Sequence, residues 1–164
     1  MSQQQTIIKM LPQLRRYSYS LTGNRNDGDD LLHNSLEKII KNMKNFENIR
    51  NINAYLYKVI LNNWRDRFKK NEPIFLDIET LGNSLQDNKS TADVILEQKN
   101  NFRNLKKIID TLSEKLKITL LLSVVEEKSY KEISEILDIP IGTVMSRLAE
   151  AKKKLIERNE EIKL

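Results

Sequence analysis

The chain has 164 residues, of which 31% are charged and 39% hydrophobic, with four glycines, three prolines and no cysteine. The missing cysteines exclude a disulfide framework and a thiolate metal site and fit a reducing compartment. Met1–Gln5 opens no signal peptide, and the most apolar run, Ile118–Val125, is too short to span a bilayer, so no membrane insertion is expected. The net charge of +5 is unevenly spread: residues 1–70 carry 13 Lys and Arg against 6 Asp and Glu, residues 71–101 carry 2 against 6, and residues 102–164 carry 13 against 11. A basic block, an acidic connector and a milder third block suggest a polyanion-binding module tied to a second module. Charge alone fits equally a basic protein that binds no nucleic acid.

Taken in chain order, Ile7, Leu11, Leu14, Ser18 and Leu21 follow a 4-3-4-3 spacing that predicts a first helix, stopped by Thr22-Gly23-Asn24. Asn26 is a plausible cap for the second helix, with Asp27, Asp29 and Asp30 at the positive end of its dipole. Leu32, Leu36, Ile39 and Met43 make its apolar stripe, broadened by Leu31 and Ile40. The polar stretch from Asn45 to Asn53 interrupts the period. Asn53 can cap a third helix running through Lys70, with Leu56, Val59, Ile60 and Trp64 on its apolar side and Trp64 and Phe68 in the core.

Residues 71–92, with Pro73, Gly82, Asn83, Ser84, Asp87, Asn88 and Ser90, read as a flexible linker. Helical period resumes at Val94 or Ile95 and continues through Phe102, Leu105, Ile109 and Leu112. Ser113-Glu114 begins another helix, with Leu116, Leu120 and Val124 on one side. Ser129 and Glu132 form a capping box for a helix that buries Ile133 and Leu137 and halts at Asp138-Ile139-Pro140. Pro140 suits the first turn of a last helix, whose buried side is Val144, Leu148, Ala151 and Leu155. The fold class is all-α, in two small helical domains: 1–70, then the acidic linker 71–92, then 93–164 with a helix-turn-helix.

In a helix-turn-helix the start of the second helix enters the DNA major groove. Thr143, Ser146 and Arg147 lie near that start, off the Val144–Leu148 side, with Lys152, Lys153 and Lys154 beyond. Periodicity alone fits an ordinary αα-hairpin with a solvated lysine end equally well. On the third helix, Tyr55, Lys58, Asn62, Arg65 and Lys69 share one face at 3-4-3-4 spacing. That face offers an aromatic plane, an amide and three cations, the groups that single-stranded DNA calls for. By pattern alone it reads as a solvated basic surface.

The segment "SYKEISEILDIPIGTVMSRL" and its flanks, Leu112 to Leu155, resemble region 4 of bacterial sigma factors of the extracytoplasmic-function type. Leu11 through Asn24, Asp29 through Leu32 and Asn53 through Arg67 resemble region 2, in the family's order and at its linker spacing. The resemblance implies that Thr143, Met145, Ser146, Arg147 and Glu150 lie against the minus-thirty-five duplex, with Met145 standing where relatives usually place Lys or Arg. It implies that Tyr55, Lys58, Asn62, Arg65 and Lys69, with Phe46, Asn48, Arg50 and Asn51 of the preceding loop, meet the melted minus-ten element. It further implies docking of the second helix on core RNA polymerase through Asp30, Leu31, His33, Asn34 and Glu37.

The implied partners are therefore core RNA polymerase, promoter DNA and an anti-sigma factor, with a cytoplasmic location and no cofactor or small-molecule substrate. The acidic linker would either occupy a basic polymerase channel or act as a solvated tether. There is no phosphate-binding glycine loop, two-histidine zinc motif or cysteine nucleophile, and Asp29-Asp30 and Glu126-Glu127 read as helix-terminal charge, so no enzyme is expected. The lone His33 reads as a surface group. Three rivals remain: a sigma-like decoy that sequesters an anti-sigma factor without using DNA, a repressor using the C-terminal motif alone, and more remotely a nucleic-acid enzyme.

Overall fold

A computed structural model describes residues 2–68 and 103–163. They form α1 (Gln3–Thr22), α2 (Arg25–Lys41), a 3-10 turn (Met43–Asn48), α3 (Ile52–Asn63) continued by a π-turn (Trp64–Phe68), α4 (103–110), α5 (Glu114–Leu120) continued by a second π-turn (Leu121–Val125), α6 (Tyr130–Leu137) and α7 (Ile141–Lys163). No strand occurs among the described residues, and the fold is all-α. The helices divide into two compact units: one gathers α1, α2 and α3 with Lys131–Ile139, the other α4, α5 and α7. The linker 71–92, the start of the helix expected from Val94 or Ile95, Lys69 and the side chain of Phe68 lie outside the described residues.

In the first unit, α1 starts in a capping box. Ser2 Oγ accepts the Gln5 N–H at 3.2 Å, and Gln5 Oε1 accepts the Ser2 N–H at 3.0 Å, so two donors of the first turn are satisfied. Its buried side is Ile7, Met10, Leu14, Tyr17, Ser18 and Leu21, and Leu11 is half-buried at the edge of this stripe. The buried hydroxyls of Ser18 and Thr22 donate to the carbonyls of Leu14 and Ser18 at 2.8 and 2.9 Å, which removes the cost of placing them inside. Gly23 ends the helix in the left-handed region at φ 81°, its N–H donating to the Tyr19 carbonyl.

The cap of α2 is Asn24, not Asn26: its Oδ1 accepts the Asp27 N–H at 2.8 Å. The expected stripe is also turned. Leu31, Leu32, Ser35 and Ile39 are buried, Leu36 and Met43 are half-buried, and Ile40 is 61% exposed. Likewise α3 is capped by Asn51, not Asn53, through a 3.1 Å bond from the Ala54 N–H. α3 buries Leu56, Tyr57, Ile60 and Leu61, with Trp64 beyond them, and the Tyr17 and Tyr57 rings meet tilted at 4.9 Å between centroids.

Tyr19 ties α1 to α2. Its O–H donates to Asp29 Oδ1 at 2.8 Å. That bond first, then desolvation and the Asp29 charge, raise the phenol above its ordinary value of 10.0. A folded value above the unfolded one means that the stability carried is present below about pH 10 and lost as pH rises through the folded value. In Asp29→Asn the Tyr19 phenolate should titrate nearer its ordinary value, read in the ultraviolet as the difference from the Tyr19→Phe protein. An unchanged curve would mean that Asp29 is not the cause.

In the second unit Leu112, Leu116 and Ala151 form a buried cluster, with Leu120 and Leu155 packed against it. The expected alignment of Val124 with Leu116 and Leu120 fails for a definite reason. The Glu126 N–H bonds the Leu121 carbonyl, five residues back, at 3.1 Å, so the chain turns by an extra residue. Leu121, Leu122 and Val125 are thereby buried, and Val124 is 44% exposed.

Along α6, Ile133 and Ile136 are buried, while Leu137, expected inside, is half-buried. Asp138 holds a left-handed φ of 54° in the turn, a conformation that short polar side chains tolerate. Pro140 stands just before α7, not within it, and its carbonyl accepts the Thr143 and Val144 N–H groups at 3.0 and 3.2 Å.

Candidate nucleic-acid interface

Burial of Leu56, Tyr57, Ile60 and Leu61 fixes the rotation of α3, and the opposite face follows from helical period. Asn62 and Arg65 are exposed, and Tyr55 and Lys58 are half-buried. Tyr55, Lys58 and Asn62 thus share one face of α3, Arg65 is exposed in the π-turn that follows, and Lys69 lies outside the described residues. Between α2 and α3 runs a groove of about 330 Å³ lined by Lys38, Lys41, Asn42, Tyr55, Val59, Asn62, Asn63 and Asp66.

At one wall of this groove, Lys38 Nζ donates to Asn63 Oδ1 at 3.0 Å, and Asn63 Nδ2 donates to Ser35 Oγ at 3.1 Å. The Ser35 hydroxyl hydrogen goes to the Leu31 carbonyl at 2.7 Å. Lys38 and Lys41 were not marked by the sequence pattern. The signal was present: Lys38 stands three residues after Ser35, beside the buried Leu31–Ser35–Ile39 line.

The loop before α3 departs from expectation at two of its four residues. Phe46 is 1% exposed, its ring edge-on to Tyr55 at 5.4 Å between centroids. It supports the Tyr55 ring from inside and is not a surface for a base in this conformation. Asn51 caps α3 with its oxygen, and its Nδ2 donates to Glu135 Oε2 at 2.8 Å, so both ends of the amide are engaged. Asn48 and Arg50 are exposed. Lys58 forms an ion pair with Asp138, which belongs with Glu135 to the Lys131–Ile139 segment of this same unit.

On α2, Asp30, His33 and Glu37 are exposed and Asn34 is half-buried. His33 Nδ1 lies 3.0 Å from the Asp29 carbonyl. Leu31 is fully buried, so its expected place in a docking face is corrected: it packs in the core. The exposed Ile40 takes up the spacing instead, since Asp30, His33, Glu37 and Ile40 fall at 3-4-3 intervals along one face.

At the start of α7, Met145 is 52% exposed and Ser146 is exposed, with its Oγ–H donating to the Thr143 carbonyl at 3.0 Å. Thr143 and Arg147 are half-buried. Val144 and Ala151 are fully buried on the other side. Glu150 is held by Lys154 Nζ at 3.2 Å, which offsets the carboxylate beside this face. Among the described residues no three His, Asp or Glu side chains gather as a metal site, and no helix is long and apolar enough to cross a membrane.

A helical unit with a cationic, aromatic helix face, followed by a helix-turn-helix sequence, is an arrangement that DNA recognition can use. Comparison with known proteins makes this specific. Residues 102–155 match the family of sigma-70 region 4, and residues 7–61 match the Sigma2 domain of PhyR. The ECF RNA polymerase sigma-E factor of Haemophilus influenzae is 30% identical over 138 residues, covering 79% of this chain and 72% of that protein. The ECF RNA polymerase sigma factor SigW of Bacillus subtilis is 27% identical over 146 residues, covering 84% and 78%. Among solved structures, the sigma factor RpoE in complex with the anti-sigma factor NepR from Bartonella quintana superposes with a TM-score of 0.66 at 23% identity, covering 96% of each chain, which shows the shared fold. The chain belongs to the ECF family of RNA polymerase sigma factors.

Proposed function

We propose that this chain directs core RNA polymerase to promoters as a recognition subunit that does no catalysis of its own. Asn62, Tyr55 and Arg65 meet unpaired bases of the minus-ten element, Thr143, Met145, Ser146 and Arg147 lie along the minus-thirty-five duplex, and Asp30, His33, Glu37 and Ile40 face the polymerase. The observation that carries the reading is the rotation of α3: Leu56, Tyr57, Ile60 and Leu61 are buried, and the amide of Asn62 and the half-covered ring of Tyr55 line an open groove beside the half-buried Val59. Stacking on such a ring is worth ~1–3 kcal/mol per base. Formation of phosphodiester bonds remains with the polymerase. An anti-sigma partner in a cytoplasmic setting completes the proposal, supported by the likeness to a sigma factor held by one.

In runoff transcription with core polymerase, Asn62→Ala should reduce open-complex formation about tenfold, a loss of ~1.4 kcal/mol, while core binding stays at its wild-type level. Equal loss of both activities would remove Asn62 from base recognition.

A second reading has one observation on its side. Lys58 and Asn51 are already engaged by Asp138 and Glu135, as suits a sigma-like decoy that sequesters an anti-sigma factor without using DNA. That reading predicts anti-sigma binding without promoter binding even when core polymerase is supplied.

A further inference from the structure

We infer that Lys38 and Lys41 form a subsite for a backbone phosphate of the melted strand, and that Asn63 is the positioning residue that fixes Lys38 there; this rests on the promoter reading above. Asn63 is 1% exposed, so its amide must be satisfied internally. The relay leaves it one orientation. The Ser35 hydrogen is committed to the Leu31 carbonyl, so Ser35 Oγ takes the hydrogen from Asn63 Nδ2, and Asn63 Oδ1 is left to face Lys38.

A neutral amide holds the ammonium in place without cancelling its charge, and two of its three N–H donors remain for another acceptor. Lys58 is the contrast, since its partner is the carboxylate of Asp138. Lys41 adds a second cation to the same lining, beside Tyr55 and Asn62. Asp66 is the one acidic residue of the lining and disfavours an anion at its own end. The groove therefore offers a cationic wall to phosphate and an amide and ring to the attached base.

The test is the salt dependence of holoenzyme binding to a fluorescent single strand carrying the minus-ten sequence. Contacts made by the polymerase itself are common to all variants and cancel in the comparison. Removal of one phosphate contact lowers the slope of log K against log salt by ~0.7, about fivefold in affinity near 0.1 M salt. Lys38→Met should show this loss and Lys38→Arg should restore the slope. Asn63→Asp, which pairs the ammonium with a charge, should lower the slope in the wild-type background and leave it unchanged in Lys38→Met. Thermal unfolding of each variant separates misfolding from lost contact.

A slope unchanged in a folded Lys38→Met protein overturns the subsite while leaving the promoter reading in place. A wild-type holoenzyme that fails to bind the strand overturns both.

Discussion

Replacing Leu31 by alanine should destabilise the protein by about 3 kcal/mol, lowering its unfolding midpoint by ~10–20 °C. The side chain is fully buried with Leu14, Leu21 and Ile39 in the unit of α1, α2 and α3, and truncation leaves a cavity that close-packed neighbours fill only in part. Ile40→Ser should do the reverse. The side chain is 61% exposed, so stability should change by less than about 0.5 kcal/mol while affinity for core polymerase falls. Thermal circular dichroism and competition for core polymerase measure the two effects separately. A Leu31→Ala protein that melts like wild type but no longer binds polymerase would return Leu31 to the docking face, where the family resemblance had placed it.

That exchange shows what was legible in the sequence. Most of the stripes of α1 and α3 follows from 3.6-residue periodicity, with Leu11 and Val59 half-buried instead of inside, and the turn from α6 to α7 follows from Asp138-Ile139-Pro140. Rotation of α2 was harder because Leu31, Leu32, Leu36, Ile39 and Ile40 cover about half of its circumference, and apolarity cannot choose among them. Ser35, polar yet fully buried through its bond to the Leu31 carbonyl, is the residue that fixes the buried side.

The caps failed in a related way. Asn24 and Asn26, and again Asn51 and Asn53, are equivalent candidates two residues apart. The choice falls on the one whose backbone is extended, at φ −152° for Asn24 and −132° for Asn51.

The candidate site divides along the same line. Asn62 was legible because spacing from Tyr55 and Lys58 puts it on the polar face. Asn63 was not, since a buried amide leaves no periodic mark and its meaning comes from Lys38 and Ser35, 25 and 28 residues earlier in the chain. Phe46 was misplaced for want of its partner: in a polar loop it reads as an exposed ring, and only the edge contact with Tyr55 shows it to be a support. π-turns are likewise invisible to a 3.6-residue template. The one after α5 exchanges the expected places of Val124 and Val125.

Gly28→Ala and Gly142→Ala should have opposite signs although the substitution is the same and both glycines lie within helices. An added methyl on a helical glycine ordinarily stabilises by ~0.5–1 kcal/mol, because the unfolded chain loses freedom. At Gly142, the second residue of α7, nothing lies within 4 Å of the new atom, and part of that gain should appear. At Gly28 the new Cβ would stand 2.3 Å from Tyr19 Cδ1 and 3.1 Å from the Tyr19 Cα. The ring cannot swing aside freely, since its hydroxyl is bonded to Asp29, and the backbone contact remains even if it does. Forcing the helices apart costs ~1–3 kcal/mol or more in such overpacked sites, which outweighs the propensity gain. Gly28→Ala should therefore melt lower than wild type by about 5–10 °C, and adding Tyr19→Ala should recover part of the loss through a coupling that two independent sites would not show. Additive effects of the two substitutions would mean that α1 and α2 do not meet through this glycine.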